Sequence, residues 1–450
     1  YFEENKSIAR NEGSAMGSGQ KLYKRAKNLI PGGTMLFSKR PELFLPEKWP
    51  SYFSKAKGCK VWDLDDNEFV DMSIMGIGTN TLGYGNDEVD AAVREVINKG
   101  NMSTLNCPEE VYLAEKLVEI NPWSEMVRFA RSGGEANSIA IRIARAASGK
   151  DKVAICGYHG WHDWYLSANH NNEDELSDHL LSGLKVNGVP KNLKDTVYPF
   201  NYNNYDELLN IVTQNDIGAI KMEVIRNFEP KDEFLQKVRD LATKRNIVLI
   251  FDECTSGFRE TFGGIHKKYD VYPDMAMYGK TMGNGYAITA VVGKRSVMEA
   301  TQKTFISSTF WTERIGPSAA LASLKVMEKT KSWEIITSIG NQMRKGWKKI
   351  AKEHNLNISI LGIPSLSTFS FEGKKSLEYK TLLTQEMLKK GYLASTNFYA
   401  STAHSEDVLN LYFEALSEVY KIISECEIGN IKIEDLLDGP ICHSGFKRLN

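Results

Sequence analysis

The sequence predicts an α/β fold in which a large domain holds a mostly parallel sheet and a smaller α+β domain lies beside it. Two observations predict it. From about residue 109, compact apolar runs at 127–130, 153–156, 217–224, 247–251, 275–278 and 287–292 alternate with helical segments. Runs this apolar suit strands covered on both faces, and the residues of 234–241 recur at helical spacing, as helices crossing over such a sheet require.

The elements follow in order. The first twenty residues, including Gly13-Ser14-Ala15-Met16-Gly17-Ser18-Gly19, are polar and glycine-rich and predict an arm or linker. A helix over 21–30 is stopped by Pro31-Gly32-Gly33, and β-like stretches at 60–62 and 69–72 flank the turn Asp65-Asp66-Asn67. Past the alternating region, a helical stretch over 316–354 leads to short runs at 358–361 and 367–371 and to further helices. The expected division is residues 1–90 as an N-terminal arm and part of the small domain, 91–330 as the large cofactor-binding domain, and 331–450 as the C-terminal small domain.

At 450 residues the chain can bury more than one core. Its 56 basic and 57 acidic side chains nearly cancel, and no basic run carries interleaved aromatics, which favours small-molecule chemistry over nucleic-acid binding. The six cysteines, at 59, 107, 156, 254, 426 and 442, form no CxxC pair, and no N-terminal stretch has the order of a signal peptide. A reduced, cytoplasmic protein is expected. No apolar run approaches the roughly 20 residues that cross a bilayer. An opening Tyr1 in place of Met suggests a piece of a longer polypeptide.

Four segments carry the chemistry. Arg131-Ser132-Gly133-Gly134-Glu135 passes from a strand end into a helix, where glycines and free amides suit a phosphate and Ser132 adds a hydroxyl. Tyr158, in Gly157-Tyr158-His159-Gly160-Trp161-His162, follows the next strand and sits where ligands of open α/β sheets bind, placed to stack on a ring. Asp252 ends a third strand, and Cys254, two residues on, points the same way; a carboxylate there can keep a pyridine nitrogen protonated. Lys280, in Tyr278-Gly279-Lys280-Thr281-Met282-Gly283, lies past a fourth strand among apolar and glycine residues, where desolvation frees its amine for a Schiff base.

Read singly, each has a plain structural explanation: a strand-to-helix turn, core packing, a helix cap, a solvated lysine. Their order along the chain, each at its own strand end, points instead to pyridoxal 5'-phosphate (PLP). Cys156, His159, His162 and His170 are too loosely spaced for a zinc site, so no metal is expected.

These segments resemble the fold-type-I PLP enzymes of the class III aminotransferase group, most closely its glutamate-1-semialdehyde aminomutase branch. The resemblance runs from Lys24-Arg25-Ala26-Lys27-Asn28-Leu29-Ile30-Pro31-Gly32-Gly33 to Ser401-Thr402-Ala403-His404-Ser405-Glu406-Asp407. It implies Lys280 as the Schiff-base lysine, Asp252 as the pyridinium partner, Tyr158 as the stacking aromatic, Gly133 with Gly134 as the phosphate turn, and Glu223 beside the ring, while the residues themselves add Ser132 at the phosphate and Cys254 on the ring face opposite Tyr158. It further implies Thr309 reaching the phosphate of a neighbouring subunit, and hence a homodimer with shared active sites. Lys39 and Arg40 follow the Pro-Gly-Gly turn, where the group binds a substrate carboxylate, and Tyr399 lies in the segment 395–400, which lacks the acid of the aminomutases. An aminotransferase acting on a small amino donor and a keto or aldehyde acceptor, sugar-like by analogy, is therefore expected. An intramolecular aminomutase is the alternative, and a non-catalytic binding protein on the same fold the alternative of another class.

Overall fold

The computed structural model describes residues 16–447 and 449. Most of the expected N-terminal arm lies outside these residues. Within them a helix spans Ser18–Leu29, so the last glycine-rich positions of the expected linker are helical. Gly19 permits this, because a Cβ there would lie 1.8 Å from the Pro50 carbonyl oxygen.

Three strands follow: β1 (Phe53–Lys57), β2 (Lys60–Asp63) and β3 (Glu68–Met72). The next seven are β4 (Met126–Ala130), β5 (Lys152–Cys156), β6 (Val197–Pro199), β7 (Ile217–Glu223), β8 (Val248–Glu253), β9 (Met275–Tyr278) and β10 (Thr289–Gly293). They form one sheet in the order β4-β10-β9-β8-β7-β5-β6. The pairs from β9 to β6 are parallel, and β10 runs against both its neighbours. Strands β4, β5, β7, β8 and β9 therefore point the same way, and their carboxyl ends share one edge.

Every residue of β7, β8, β9 and β10 is buried, which is why these strands read as unbroken apolar runs. Helix Gly133–Ser148 packs on one face through Ile139, Ile143 and Ala144, and helices Tyr205–Gln214 and Phe234–Lys244 cover other parts of the sheet through Leu208, Val212, Val238 and Leu241. The helical stretch expected over 316–354 is two helices, Ile315–Thr330 and Ser332–Glu353, broken at Lys331, whose φ of 52° is left-handed.

Four more strands complete the chain: β11 (Ile358–Leu361), β12 (Leu366–Phe371), β13 (Tyr392–Ala394) and β14 (Asn397–Tyr399). Strand β13 pairs in parallel with β3, so residues near the two ends of the chain share a four-stranded sheet. Trp347, Phe369, Leu382 and Tyr412 centre a core of their own in this part of the molecule. No described helix is long and apolar enough to cross a membrane.

Candidate active site

Lys280 begins a short 3-10 turn directly after β9, and its Nζ donates to Thr255 Oγ1 at 3.2 Å. Burial, then the nearby guanidinium groups of Arg259 and Arg226, pull its pKa down to about 8. The turn is pinned from behind: Asn284, in the left-handed region at φ 45°, accepts the Leu82 amide at 3.1 Å and donates to the Gly83 carbonyl at 3.0 Å. Gly279 keeps the approach tight, since a Cβ there would meet Cys254 Sγ at 3.4 Å. Cys254 is thus brought beside Lys280.

Asp252, at the end of β8, is 4 % exposed. Its Oδ2 lies 3.0 Å from Lys221 Nζ and 2.9 Å from His159 Nδ1, and its Oδ1 accepts the Cys254 amide at 3.1 Å. Burial alone would raise the carboxyl pKa; Lys221, His159 and the Cys254 amide overcome it and hold the group well below the usual carboxylate range. His159 Nε2 is 2.9 Å from the Cys156 carbonyl, and its Nδ1 faces both Asp252 Oδ2 and Lys221 Nζ, each at 2.9 Å. One lysine therefore clamps both the ring and the carboxylate, leaving Oδ1 with a single amide donor.

Tyr158 follows Gly157, whose φ of 101° suits glycine and whose added Cβ would sit 2.4 Å from Glu223 Oε2. That absence of a side chain lets Glu223 accept the Tyr158 amide at 3.0 Å. The Tyr158 ring remains 37 % exposed, with the Arg226 guanidinium 5.9 Å from its centre. Arg226 Nη1 in turn pairs with Glu223 at 3.2 Å.

Ser132 caps helix Gly133–Ser148 in a reciprocal box: its Oγ accepts the Glu135 amide at 3.4 Å while Glu135 Oε1 accepts the Ser132 amide at 2.9 Å. A Cβ on Gly133 would meet nothing within 4 Å, whereas Gly134 is crossed closely by Gly160, whose Cβ would lie 3.1 Å from the Gly134 Cα. The start of this helix is thus open at Gly133 and closed at Gly134. Glu135 Oε2 accepts from Trp311 Nε1 at 2.7 Å, which ties the turn to the segment Thr309–Thr312. Thr309 itself is exposed.

Tyr399, the last residue of β14, donates its amide to the Ser73 carbonyl at 2.8 Å and lies within electrostatic reach of both Arg226 and Arg259. Lys39 and Arg40 stand elsewhere. Arg40 lies between the Phe37 and Phe446 rings, 5.0 and 5.2 Å from their centres, and donates to the Lys447 carbonyl at 2.9 Å. Lys39 ends the short turn Phe37–Lys39.

Sequence reasoning missed Lys221, Thr255, Arg226 and Arg259, and weighed His159 only as a metal ligand. Lys221 left a signal, as the one charge inside the apolar run before Glu223. Among the described residues no cluster of three His, Cys, Asp or Glu could hold a metal ion.

The arrangement fits PLP: an ionised buried acid with an oxygen to spare, an aromatic face, a helix start open at Gly133, and a lysine of depressed pKa share the carboxyl edge of one sheet. The comparisons with known proteins agree. The profile of the family described as Aminotransferase class-III matches residues 46–399. The chain is 32 % identical over 424 residues, 89 % of its own length and 97 % of the relative's, to 3-aminobutyryl-CoA aminotransferase of Cloacimonas acidaminovorans (strain Evry). It is 31 % identical over 433 residues, 91 % of its length and 100 % of the relative's, to glutamate-1-semialdehyde 2,1-aminomutase of Ignicoccus hospitalis. Its fold is similar to the PLP form of the FumI protein of Sphingopyxis sp. MTA144, with a TM-score of 0.82 and 24 % identity over 93 % of this chain and 100 % of that one. An expectation drawn from four strand ends and the matches along the chain converge: this protein belongs to the class-III aminotransferase family, is an α/β protein of fold type I, and is a PLP-dependent aminotransferase.

Proposed function

We propose that the enzyme moves an amino group from a small amino donor to a separate keto or aldehyde acceptor, with Lys280 as the residue that joins the cofactor and carries the proton. The observation that supports this most is the Lys280 amine, held at 3.2 Å by Thr255 Oγ1 with its pKa lowered to about 8. Bound PLP supplies an electron-accepting ring and an aldehyde carbon. Asp252 Oδ1 holds the proton on the ring nitrogen, and Lys221 and His159 keep that carboxylate charged and oriented. Tyr158 and Cys254 would cover the two ring faces, Glu223 would lie beside the ring, and Ser132, Gly133 and Gly134 would hold the phosphate. Lys280, whose amine would join the cofactor's aldehyde, would also be placed to remove and return a proton at the substrate carbon as general acid and base.

The sequence expectations of a division at residues 90 and 330, a cytoplasmic location and a homodimer completed by Thr309 belong to the same reading. Exposed Leu105, Phe305 and Phe310, at 81, 82 and 72 %, support a subunit contact near Thr309. The donor is a small amino compound, which the 3-aminobutyryl-CoA relative extends to an aminoacyl thioester, and the acceptor is the keto or sugar-like carbonyl expected from the sequence; the aminomutase relatives favour an intramolecular transfer as the second reading. Visible absorbance tests the proposal. The cofactor-loaded enzyme shows a band that Lys280→Ala abolishes, and a simple amino donor converts the wild-type cofactor to its amine form. A band that survives in Lys280→Ala sinks the role given to Lys280, and no conversion with any single donor favours the mutase.

A further inference from the structure

Arg259 is among the largest fully buried side chains of the protein, and no described carboxylate pairs with it. Its Nε donates to the Thr255 carbonyl and its Nη2 to the Gly78 carbonyl, the latter at 2.7 Å. Nη1 is buried and has no partner. A buried cation served only by two carbonyls is costly, since neutral acceptors do not replace the hydration of a full charge. The side chain is nevertheless held there by built features. Gly78, at φ 73°, must be glycine, because a Cβ would fall 2.6 Å from Nη2. It ends a run of four left-handed residues, Met75, Gly76, Ile77 and Gly78.

The position of the guanidinium gives its direction. Thr255 links it to the reactive amine: the Thr255 carbonyl takes Arg259 Nε and the Thr255 hydroxyl takes Lys280 Nζ at 3.2 Å. Tyr399 lies in electrostatic reach of the same guanidinium. Arg226, the other arginine near Lys280, is half exposed and already paired with Glu223, and Arg40 is engaged with Phe37, Phe446 and Lys447. We propose that Arg259 is a substrate-binding residue whose free Nη1 takes an oxyanion of the substrate, a carboxylate or a phosphate, and so fixes the reacting carbon beside Lys280. This rests on the assignment of Lys280 as the reactive lysine.

The test is calorimetric titration of the cofactor-loaded enzyme with propionate, inorganic phosphate and propionamide, the visible band being recorded in the same samples. Propionate or phosphate binds and propionamide does not; whichever anion binds names the source of the oxyanion. Arg259→Gln weakens that binding about 10- to 100-fold, as loss of a hydrogen bond to a charged group does, and Arg259→Lys restores part of it. Equal affinity for propionate and propionamide, no affinity for either anion, or undiminished anion binding in Arg259→Gln overturns the proposal. Should Arg259→Gln fail to fold, the propionate and propionamide contrast in the wild type and the Arg259→Lys titration still decide it. Anion binding that persists where the band does not depend on Lys280 counts against the role of Lys280 alone, so the two failures are told apart.

Discussion

Lys221 Nζ lies 3.0 Å from Asp252 Oδ2, with the lysine side chain fully buried and the carboxylate 5 % exposed. An ion pair inside the sheet replaces what is otherwise an apolar strand position, and its effect is directional. Lys221 and His159 both engage Oδ2 of Asp252, which leaves Oδ1 with the Cys254 amide alone.

Lys221→Met leaves Asp252 buried without its lysine partner, facing His159 alone among the described charged or basic side chains. We expect a loss of about 3–5 kcal/mol of stability, the usual consequence of removing one member of a buried pair. The pH dependence has a definite sign. Asp252 has a folded pKa below its unfolded value, so its contribution is present above the unfolded carboxylate range and is lost as pH falls through the folded value. Chemical denaturation across the acid range checks both, and the variant should lose stability at a higher pH than the wild type. An unchanged acid limb contradicts the clamp.

Gly157→Ala tests the link between Tyr158 and Glu223. A methyl group 2.4 Å from Glu223 Oε2, on a backbone at φ 101°, forces the Glu223 side chain away from the loop. Strain of this kind costs about 1–3 kcal/mol. Since the displaced carboxylate is the acceptor of the Tyr158 amide, the expected outcome is weaker retention of PLP on dialysis together with a lower melting temperature. Full retention means that the ring is not held through Tyr158.

The subunit contact proposed near Thr309 is tested at Phe310, 72 % exposed. Phe310→Asp places a charge on an exposed aromatic next to Thr309, so sedimentation should show a shift from dimer to monomer. If Thr309 serves the neighbouring phosphate, PLP affinity falls with it. A wild-type monomer, or a dimer indifferent to the charge, counts against shared sites.

The parts of the molecule that the sequence made legible are those where one residue and one local pattern suffice. Strand β9 is found at its expected bounds because each of its four residues is buried, and Lys280 stood out because glycines flank it. Strands β13 and β14 are three residues each and form only by pairing with β3 and β12, so no local pattern announces them. The same holds for the site. Asp252 and Tyr158 end apolar runs, whereas the partnership of Lys221 with Asp252 depends on β7 lying beside β8, a neighbourhood set by the sheet order. Arg259 looked like any loop arginine until Gly78, far away in sequence, closed over it.

Lys280 gives a prediction that needs no substrate. With its pKa near 8, the ammonium form dominates below that pH and the amine above it. Only the amine attacks an aldehyde, so capture of added PLP by the cofactor-free protein should rise about tenfold per pH unit below the midpoint and level off above it. Stopped-flow growth of the visible band gives this profile. Arg259 is one of the groups that lowers the lysine pKa, so Arg259→Gln must move the midpoint towards the ordinary lysine range, slowing capture at neutral pH while leaving the alkaline plateau in place. A midpoint that stays where it is in the variant means that burial alone tunes Lys280.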